Sequence, residues 1–243
     1  MRVLGIDTSC STGSVALVEA AASPYGAEVV ASATARVSNA HGESLLPLVE
    51  AVLRAGNSSL AEVDLLAVGV GPGSFTGTRI GVATAKGLAL GADKPLLGVS
   101  SFEAIALDTG APEGTEVLVV LDARKAEVYA AVVALGSDDA CLATVAVHAA
   151  PSLALEAIGR KQAPLPPFVA GDGVELVATI APLSLRHVGA RAPRAEAVAA
   201  LAGARFLRGA PDQAETLEPF YVRPPDITLP TRPSLAVGRP RDP

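Results

Sequence analysis

Apolar positions along the chain follow two rhythms. Over residues 1–37 they come in short blocks: Val3-Leu4-Gly5-Ile6, then Val15-Ala16-Leu17-Val18 after a polar turn from Asp7 to Gly13, then 28–37. Short apolar blocks bounded by turn residues predict three strands. From 41 the spacing becomes helical. Leu45, Leu46, Val49, Val52 and Leu53 make one apolar face over 41–55, with Gly56 as the stop. A buried strand follows at 64–70, a helix at about 76–90, a strand at 96–99 and a short helix at 101–107. Strands at 116–121 and 127–133 flank an Asp122-Ala123-Arg124-Lys125 turn. Signals then weaken, except for Phe168-Val169-Ala170-Gly171-Asp172-Gly173 and a helix at about 194–207. Six of the last 21 residues are proline, so the tail from Arg223 is expected to be disordered. No repeat recurs at a fixed period of 20–50 residues.

The junction before the 76–90 helix is the densest signal. Five glycines, at 69, 71, 73, 77 and 81, and Pro72 run straight into a helix of small residues. Such a run suits an anion at a helix N-terminus or a closely approaching second backbone. No two of these glycines are five apart, which excludes a Walker A loop, and Thr76 breaks the dinucleotide fingerprint. Within the helix Gly77, Gly81, Ala85 and Ala89 lie four apart, nearly above one another, as a ridge without bulk. Each mid-helix glycine costs up to ~1 kcal/mol relative to alanine. Close packing is expected to offset that cost, either within the domain or against a helix of another molecule.

Composition narrows the picture. Half of the 243 residues are hydrophobic, enough for a sizeable core in one large domain or two modest ones. Aromatics are only 3% and Trp is absent, so Ala and Val must fill that core with small-faced helices close against sheets. A net charge of −6 argues against a protein that grips nucleic acid unaided. Two cysteines, Cys10 and Cys141, offer neither a disulfide framework nor metal spacing, as in a reducing cytosol. No apolar run reaches the ~18 residues of a membrane span, and Arg2 followed by strand-like sequence is not a signal peptide.

Candidate chemistry is sparse. Asp7-Thr8-Ser9 could face a metal-bound phosphate or simply close a hairpin. His41 opens a helix, but a metal pair on one helical face would need His at 45, where Leu45 stands. His148 and His187 lie far from it in sequence, so a zinc site is not expected. Cys10 reads as a small, partly buried thiol. Asp122, Arg124, Glu127 and Tyr129 could line a cleft, although a local Asp–Arg turn pair also accounts for the first two.

Together, Gly5-Ile6-Asp7-Thr8-Ser9, His41-Gly42-Glu43-Ser44-Leu45-Leu46-Pro47, the run from Gly71 through Gly87, and Asp122-Ala123-Arg124 with Glu127-Val128-Tyr129 resemble the TsaB (YeaZ) family of bacterial tRNA threonylcarbamoyladenosine biosynthesis proteins. Pro219, Tyr221 and Arg223 resemble its C-terminal signature. The likeness is dense over 1–130 and sparse over 131–223. It implies an α/β, actin-like/Hsp70-like ATPase (ASKHA) fold of two lobes with mixed sheets flanked by helices. Residues 1–105 would form the N-terminal lobe with partner-binding helices, 106–222 a degenerate C-terminal lobe, and 223–243 the proline-rich tail.

The resemblance further implies a cytoplasmic, non-catalytic subunit without catalytic residues or a metal of its own. Such a chain dimerises with a TsaD-like catalytic paralogue, which holds the metal and transfers threonylcarbamoyl to the adenosine next to the anticodon, or with itself when alone. A TsaE-like ATPase joins the assembly, and tRNA is met only through the complex. The implied interface residues are His41, Glu43, Leu45, Leu46, Val49, Gly77, Gly81, Ala85 and Ala89. Asp7, Thr8, Ser9, Gly71 and Gly73 become a vestigial phosphate-binding hairpin. No cofactor is held tightly, and ATP or ADP at or near the partner interface is the candidate ligand. The paralogue's metal motif is His-x-x-x-His, whose second position here is Leu45. Gly171-Asp172-Gly173 is the remnant of a second-lobe nucleotide motif. An independent ATP-dependent phosphotransferase or ATPase, with Asp7 on metal-ATP, is the alternative of a different class, and a metallopeptidase is the least favoured by ligand spacing.

Overall fold

The computed structural model describes residues 1–36, 41–161, 164–180 and 186–223; the side chains of 41–44 and 187 are outside the description. The expected disorder of the tail therefore falls, beyond Arg223, outside the described residues. Strands β1 (Arg2–Asp7), β2 (Thr12–Glu19) and β3 (Glu28–Arg36) form an antiparallel meander. Helix α1 (His41–Ala55), β4 (Leu65–Gly69), α2 (Phe75–Ala92), β5 (Leu96–Val99) and α3 (Ser101–Leu107) follow. β4 joins β1 in parallel and β5 joins β4, giving the order β3-β2-β1-β4-β5.

The second half repeats this wiring. β6 (Glu116–Arg124), β7 (Glu127–Leu135), β8 (Ala140–Leu142) and β9 (Val147–Ala149) are antiparallel, with β8 and β9 both on β7. After α4 (Pro151–Lys161), β10 (Phe168–Ala170) pairs parallel with β6. After α5 (Val174–Val177), β11 (Arg186–His187) pairs parallel with β10. α6 (Ala195–Leu207) closes the second copy. Two such sheets, each a meander extended by two parallel strands, are the actin-like fold that the resemblance implies.

Both faces of each central strand are covered, which is why the strands read as continuous apolar runs rather than alternating ones. Leu4, Ile6, Leu66 and Val68 pack outward under α1 and α2. Val3, Leu65 and Ala67 face the other way, where α3 and α6 are sandwiched between the sheets with Val117, Val119 and Ala131. Leu118, Val120 and Val132 pack under α4 and α5. The low aromatic content has its physical reason in α6, whose Ala-rich surface lies almost on the backbone of β1. A Cβ on Gly5 would stand 2.3 Å from the Ala195 carbonyl oxygen and 2.9 Å from Ala199 Cβ. Arg205 then ties α6 across the central layer, to Glu103 of α3 at 3.0 Å and to Asp139 at 2.9 Å.

Packing crosses residue 105, because α6 sits on the first sheet and residues 212–220 return to it: the Gln213 amide donates to the Leu96 carbonyl at 2.9 Å and the Phe220 amide to that of Val70 at 2.7 Å. Helix α1 ends at Ala55, directly before Gly56 as expected, and the left-handed angle falls on Asn57, at φ 47°. Gly56 also leaves room for Leu17, whose Cδ2 would lie 2.7 Å from an added Cβ. The second-lobe hairpin turns later than 122–125, with Arg124, Lys125 and Ala126 all at positive φ.

Gly5→Ala tests the close approach of α6. Forcing a methyl into a backbone oxygen is expected to cost on the order of 3 kcal/mol, read as a lowered thermal midpoint; an unchanged midpoint would mean that α6 rides further from β1.

Candidate functional site

The two lobes face each other across a cavity of about 800 Å³. Its walls are the β1–β2 turn (Ser9 to Thr12), the glycine turn before α2, the end of β6 with Asp122 and Arg124, Asp172 after β10, Arg191, and the returning segment Phe220 to Arg223. Of the four residues expected at a cleft, Asp122, Arg124 and Tyr129 line it and Glu127 is not among its lining residues, while Arg191 and the bond of Asp172 to β6 were not foreseen. The sequence marks Asp172 only as part of Gly171-Asp172-Gly173, and its meeting with Asp122 comes from the pairing of β10 with β6 across fifty residues.

Asp7, Thr8, Ser9, Gly71 and Gly73 do come together, and they hold one another. The Thr8 hydroxyl donates to the Gly77 carbonyl at 2.7 Å. The Ser74 amide donates to the Ser9 carbonyl at 2.6 Å. A Cβ on Gly73 would stand 2.2 Å from Ser9 O, and one on Gly77 2.1 Å from Thr8 O. The glycine run therefore serves a second backbone. Ser74 caps α2 by accepting from the Gly77 amide at 3.2 Å, so a protein oxygen already occupies that orphan N–H. Gly71 alone adopts a left-handed angle here, at φ 92°.

Asp7 is fully buried. Its Oδ1 accepts from the Ser9 amide and the Ser9 hydroxyl, both at 2.9 Å, while Oδ2 has no partner and sits over the Cα of Gly69. Burial pushes its pKa up to about 6, against the lowering effect of the Ser9 bonds. Burial, with Asp7 nearby, also pushes the Cys10 thiol up to about 11, and the thiol donates to the Thr12 carbonyl at 3.0 Å. A thiol held protonated is no nucleophile at neutral pH. Asp172 is raised by burial as well, and its Oδ1 accepts from the Asp122 amide at 2.9 Å.

The mouth of the cleft is laced with ion pairs and rings. Asp122 pairs with Arg124 at 3.6 Å, the local turn pair expected. Glu127 meets both His148 at 2.9 Å and Arg223 at 3.4 Å, and His148 lies against the Tyr129 ring. Arg79 of α2 bonds the Tyr221 hydroxyl at 2.6 Å and stacks on Phe75. Among the described residues no group of three or more His, Cys, Asp or Glu side chains is placed to hold a metal ion.

Most of the described side chains expected at a helix interface are buried within the chain itself. Leu45, Val49, Gly77, Gly81, Ala85 and Ala89 all turn inward, onto this chain's own sheet and β1–β2 turn. The physical reason is the stripe that an amphipathic helix offers: the sheet beneath takes it first. An added Cβ on Gly81 would meet Thr8 Oγ1 at 2.3 Å, so the ridge is filled from within. Leu46 is the expected interface side chain that remains outside, at 48% exposure. His41 and Glu43 lie outside the described side chains. The outward face of α2 carries a different small-residue stripe: Thr76, Ile80, Ala83, Gly87 and Leu90, spaced four and three in turn. Gly87 has open space above it and Leu90 is 86% exposed. No helix among the described residues is long and apolar enough to cross a membrane.

The family model of TsaD, tRNA N6-adenosine threonylcarbamoyltransferase, matches residues 27–165. The tRNA threonylcarbamoyladenosine biosynthesis protein TsaB of Escherichia coli (strain K12) is 41% identical over 130 residues, 53% of this chain and 53% of that protein. The chain spans about half the length of the curated relatives it matches. Two solved structures from Pseudomonas aeruginosa cover it more fully. YeaZ superposes with a TM-score of 0.73 at 30% identity, over 90% of this chain and 99% of that one. An uncharacterized protein with similarity to peptidase YEAZ gives 0.76 at 30% identity, over 91% and 99%.

Asp7 makes stability pH-dependent. Its carboxyl titrates at about 6 when folded against an ordinary 3.8, so the stability that its proton confers is full below 3.8 and lost as pH rises through 6. That gap is worth about 3 kcal/mol. The difference in unfolding free energy between wild type and Asp7→Asn should change by about that amount between roughly pH 8 and pH 4, to the relative benefit of D7N at the high end. A pH-independent difference would show that Asp7 titrates normally.

Proposed function

The chain belongs to the TsaB/YeaZ family, and on that premise we propose that it is a non-catalytic scaffold and activating subunit for tRNA threonylcarbamoyladenosine formation. It acts by dimerising with a TsaD-like catalytic paralogue, with a TsaE-like ATPase joining the assembly and tRNA reached only through the complex. The outward stripe of α2 carries this reading. Thr76, Ile80, Ala83, Gly87 and Leu90 form a seam of alternating four and three spacing, the pattern by which one helix seats against another. Leu90 is 86% exposed, with little to cover it among the described residues. Leu46 on α1 adds a second exposed apolar anchor on the same layer of helices.

Leu45 supports the non-catalytic part. At the position where the paralogue's motif would place a metal-binding histidine, this chain puts a leucine into its own core, 3% exposed. In the absence of the paralogue, the same seam is self-complementary and would join two copies. A second reading, nucleotide held in the inter-lobe cleft, is favoured by the cavity's 800 Å³, within the range of small-molecule sites. Calorimetry with magnesium-ATP on the pure chain, and again on the complex, tests it directly.

Leu90→Glu and Leu46→Glu should each weaken binding to the TsaD-like paralogue by about tenfold or more, as the loss of one buried leucine requires. Reconstituted threonylcarbamoylation should fall in step while circular dichroism stays unchanged. Full activity with both residues charged would remove the helix face from the mechanism. Gly81→Leu is not a substitute, because its clash with Thr8 attacks the fold.

A further inference from the structure

A cleft between two lobes commonly opens by swinging one lobe against the other. Here the lobes are fused. One continuous apolar core runs from Val3, Leu65 and Ala67 of the first sheet, through α3 and α6, to Val117, Val119 and Ala131 of the second. Arg205 of α6 lies across the same layer, paired with Glu103 at 3.0 Å and with Asp139 at 2.9 Å. A swing of the lobes would break both. Access to the cleft of about 800 Å³ is then set by a wall that moves without them.

The returning segment supplies such a wall. From Asp212 to Phe220 it is fastened to the first lobe. The Leu96 amide donates to Asp212 Oδ1 at 2.8 Å and the Gly98 amide to Gln213 Oε1 at 3.0 Å. Leu217 lies over Gly98, with its Cδ1 2.5 Å from where a Cβ would stand. The Phe220 amide then donates to the Val70 carbonyl at 2.7 Å. Past Phe220, side chains take over. The Tyr221 hydroxyl accepts from Arg79 at 2.6 Å, Val222 rests half-buried against the central core, and Arg223 donates to Glu127 of the second lobe at 3.4 Å. Tyr221 is 39% exposed, and the Arg223 and Glu127 side chains are 25% and 35% exposed. Tyr221, Val222 and Arg223 all line the cleft.

We propose that these three residues form a latch across the mouth of the cleft, which opens about Phe220 while the lobes stay fixed and so admits or retains a solute. The change of fastening at Phe220 carries the inference. Partly exposed pairs contribute little each, and a short segment held by them opens locally at far lower cost than the core beside it. Closed, the Arg223–Glu127 pair bridges the two lobes. Open, the cleft loses three consecutive residues of its wall and keeps the rest. The latch stands apart from the outward stripe of α2 and requires no partner on it.

Cys10 lines the same cleft, from the β1–β2 turn, and reports the latch. In the full chain carrying Cys141→Ser, its alkylation is timed at one pH with a small maleimide and with a bulky polyethylene-glycol maleimide. An open mouth favours the bulky reagent, so the bulky-to-small rate ratio is the reading. Arg223→Gln and Tyr221→Ala should each raise that ratio about threefold or more, the scale of one partly exposed pair. Arg223→Lys, which keeps the charge, should hold it near the wild-type value. Ile158→Val alters a core residue that does not line the cleft, and it should lower the thermal midpoint while leaving the ratio alone, which separates latch opening from general loosening. A ratio unmoved in either latch variant, or a thiol that stays closed to both reagents in them, would overturn the proposal. So would an equal rise in Ile158→Val, or an Arg223→Lys variant as fast as Arg223→Gln.

Discussion

The contact on which the first lobe depends is the seating of the β1–β2 turn on the glycine run before α2. Thr8 and Ser9 present their carbonyl oxygens where side chains at 73 and 77 would otherwise stand, at 2.2 and 2.1 Å from the missing Cβ atoms. Any residue but glycine there would push the turn away from α2 and break the Thr8–Gly77 and Ser74–Ser9 hydrogen bonds together. The second lobe uses the same device. Gly171 and Gly173, directly after β10, sit on β6, with Val120 O 2.0 Å and Leu121 C 2.7 Å from their missing Cβ atoms. Each lobe thus presses a glycine turn onto its own first hairpin, and the inter-lobe cleft is what remains between the two assemblies.

That duplication was invisible in the sequence, and the reason is physical. The wiring repeats but the side chains do not: one glycine turn opens an 18-residue helix, the other a four-residue one. Strand order is set by backbone pairing, which leaves no periodic residue signature. What was legible was local. The strands at 1–37, the helix at 41–55 and the helix at about 194–207 stand where apolar spacing put them, because each buries a face that its own sequence defines. Turn chemistry was less legible. Arg124, Lys125 and Ala126 take left-handed angles without a glycine among them, so the end of that hairpin left no mark.

The glycine run shows how far residue types can carry a site. Its composition allowed an anion or a close backbone, and only the register between β1 and α2 decides between them. The Gly77, Gly81, Ala85, Ala89 ridge likewise allowed two neighbours, and the sheet beneath claimed it. A helix on a sheet has two small-residue faces available to the eye but one apolar moment, and the inward face is taken by whatever is tethered nearest. The outward stripe is subtler, since Thr76, Ala83 and Gly87 are not hydrophobic enough to announce themselves. Exposure, not residue type, reveals it.

α2 is the element that both candidate surfaces share. Ser74, Phe75 and Thr78 at its first turn line the cleft, while Ile80 to Leu90 on its outer side form the seam. The returning C-terminal segment is fastened to the same helix, through Tyr221 on Arg79 and through Lys86, which donates to the carbonyls of Glu215 and Leu217 at 3.1 Å. Arg223, one turn of chain later, reaches Glu127 in the other lobe. A displacement of α2 toward a partner helix would therefore pull on the cleft's near wall and on the strap that spans its mouth. Because the glycine contacts leave no slack between α2 and the β1–β2 turn, such a displacement moves Thr8, Ser9 and the buried Asp7 with it. The outward face of α2 and the cleft are then two sides of one packed unit, which also holds the buried, unpartnered Oδ2 of Asp7.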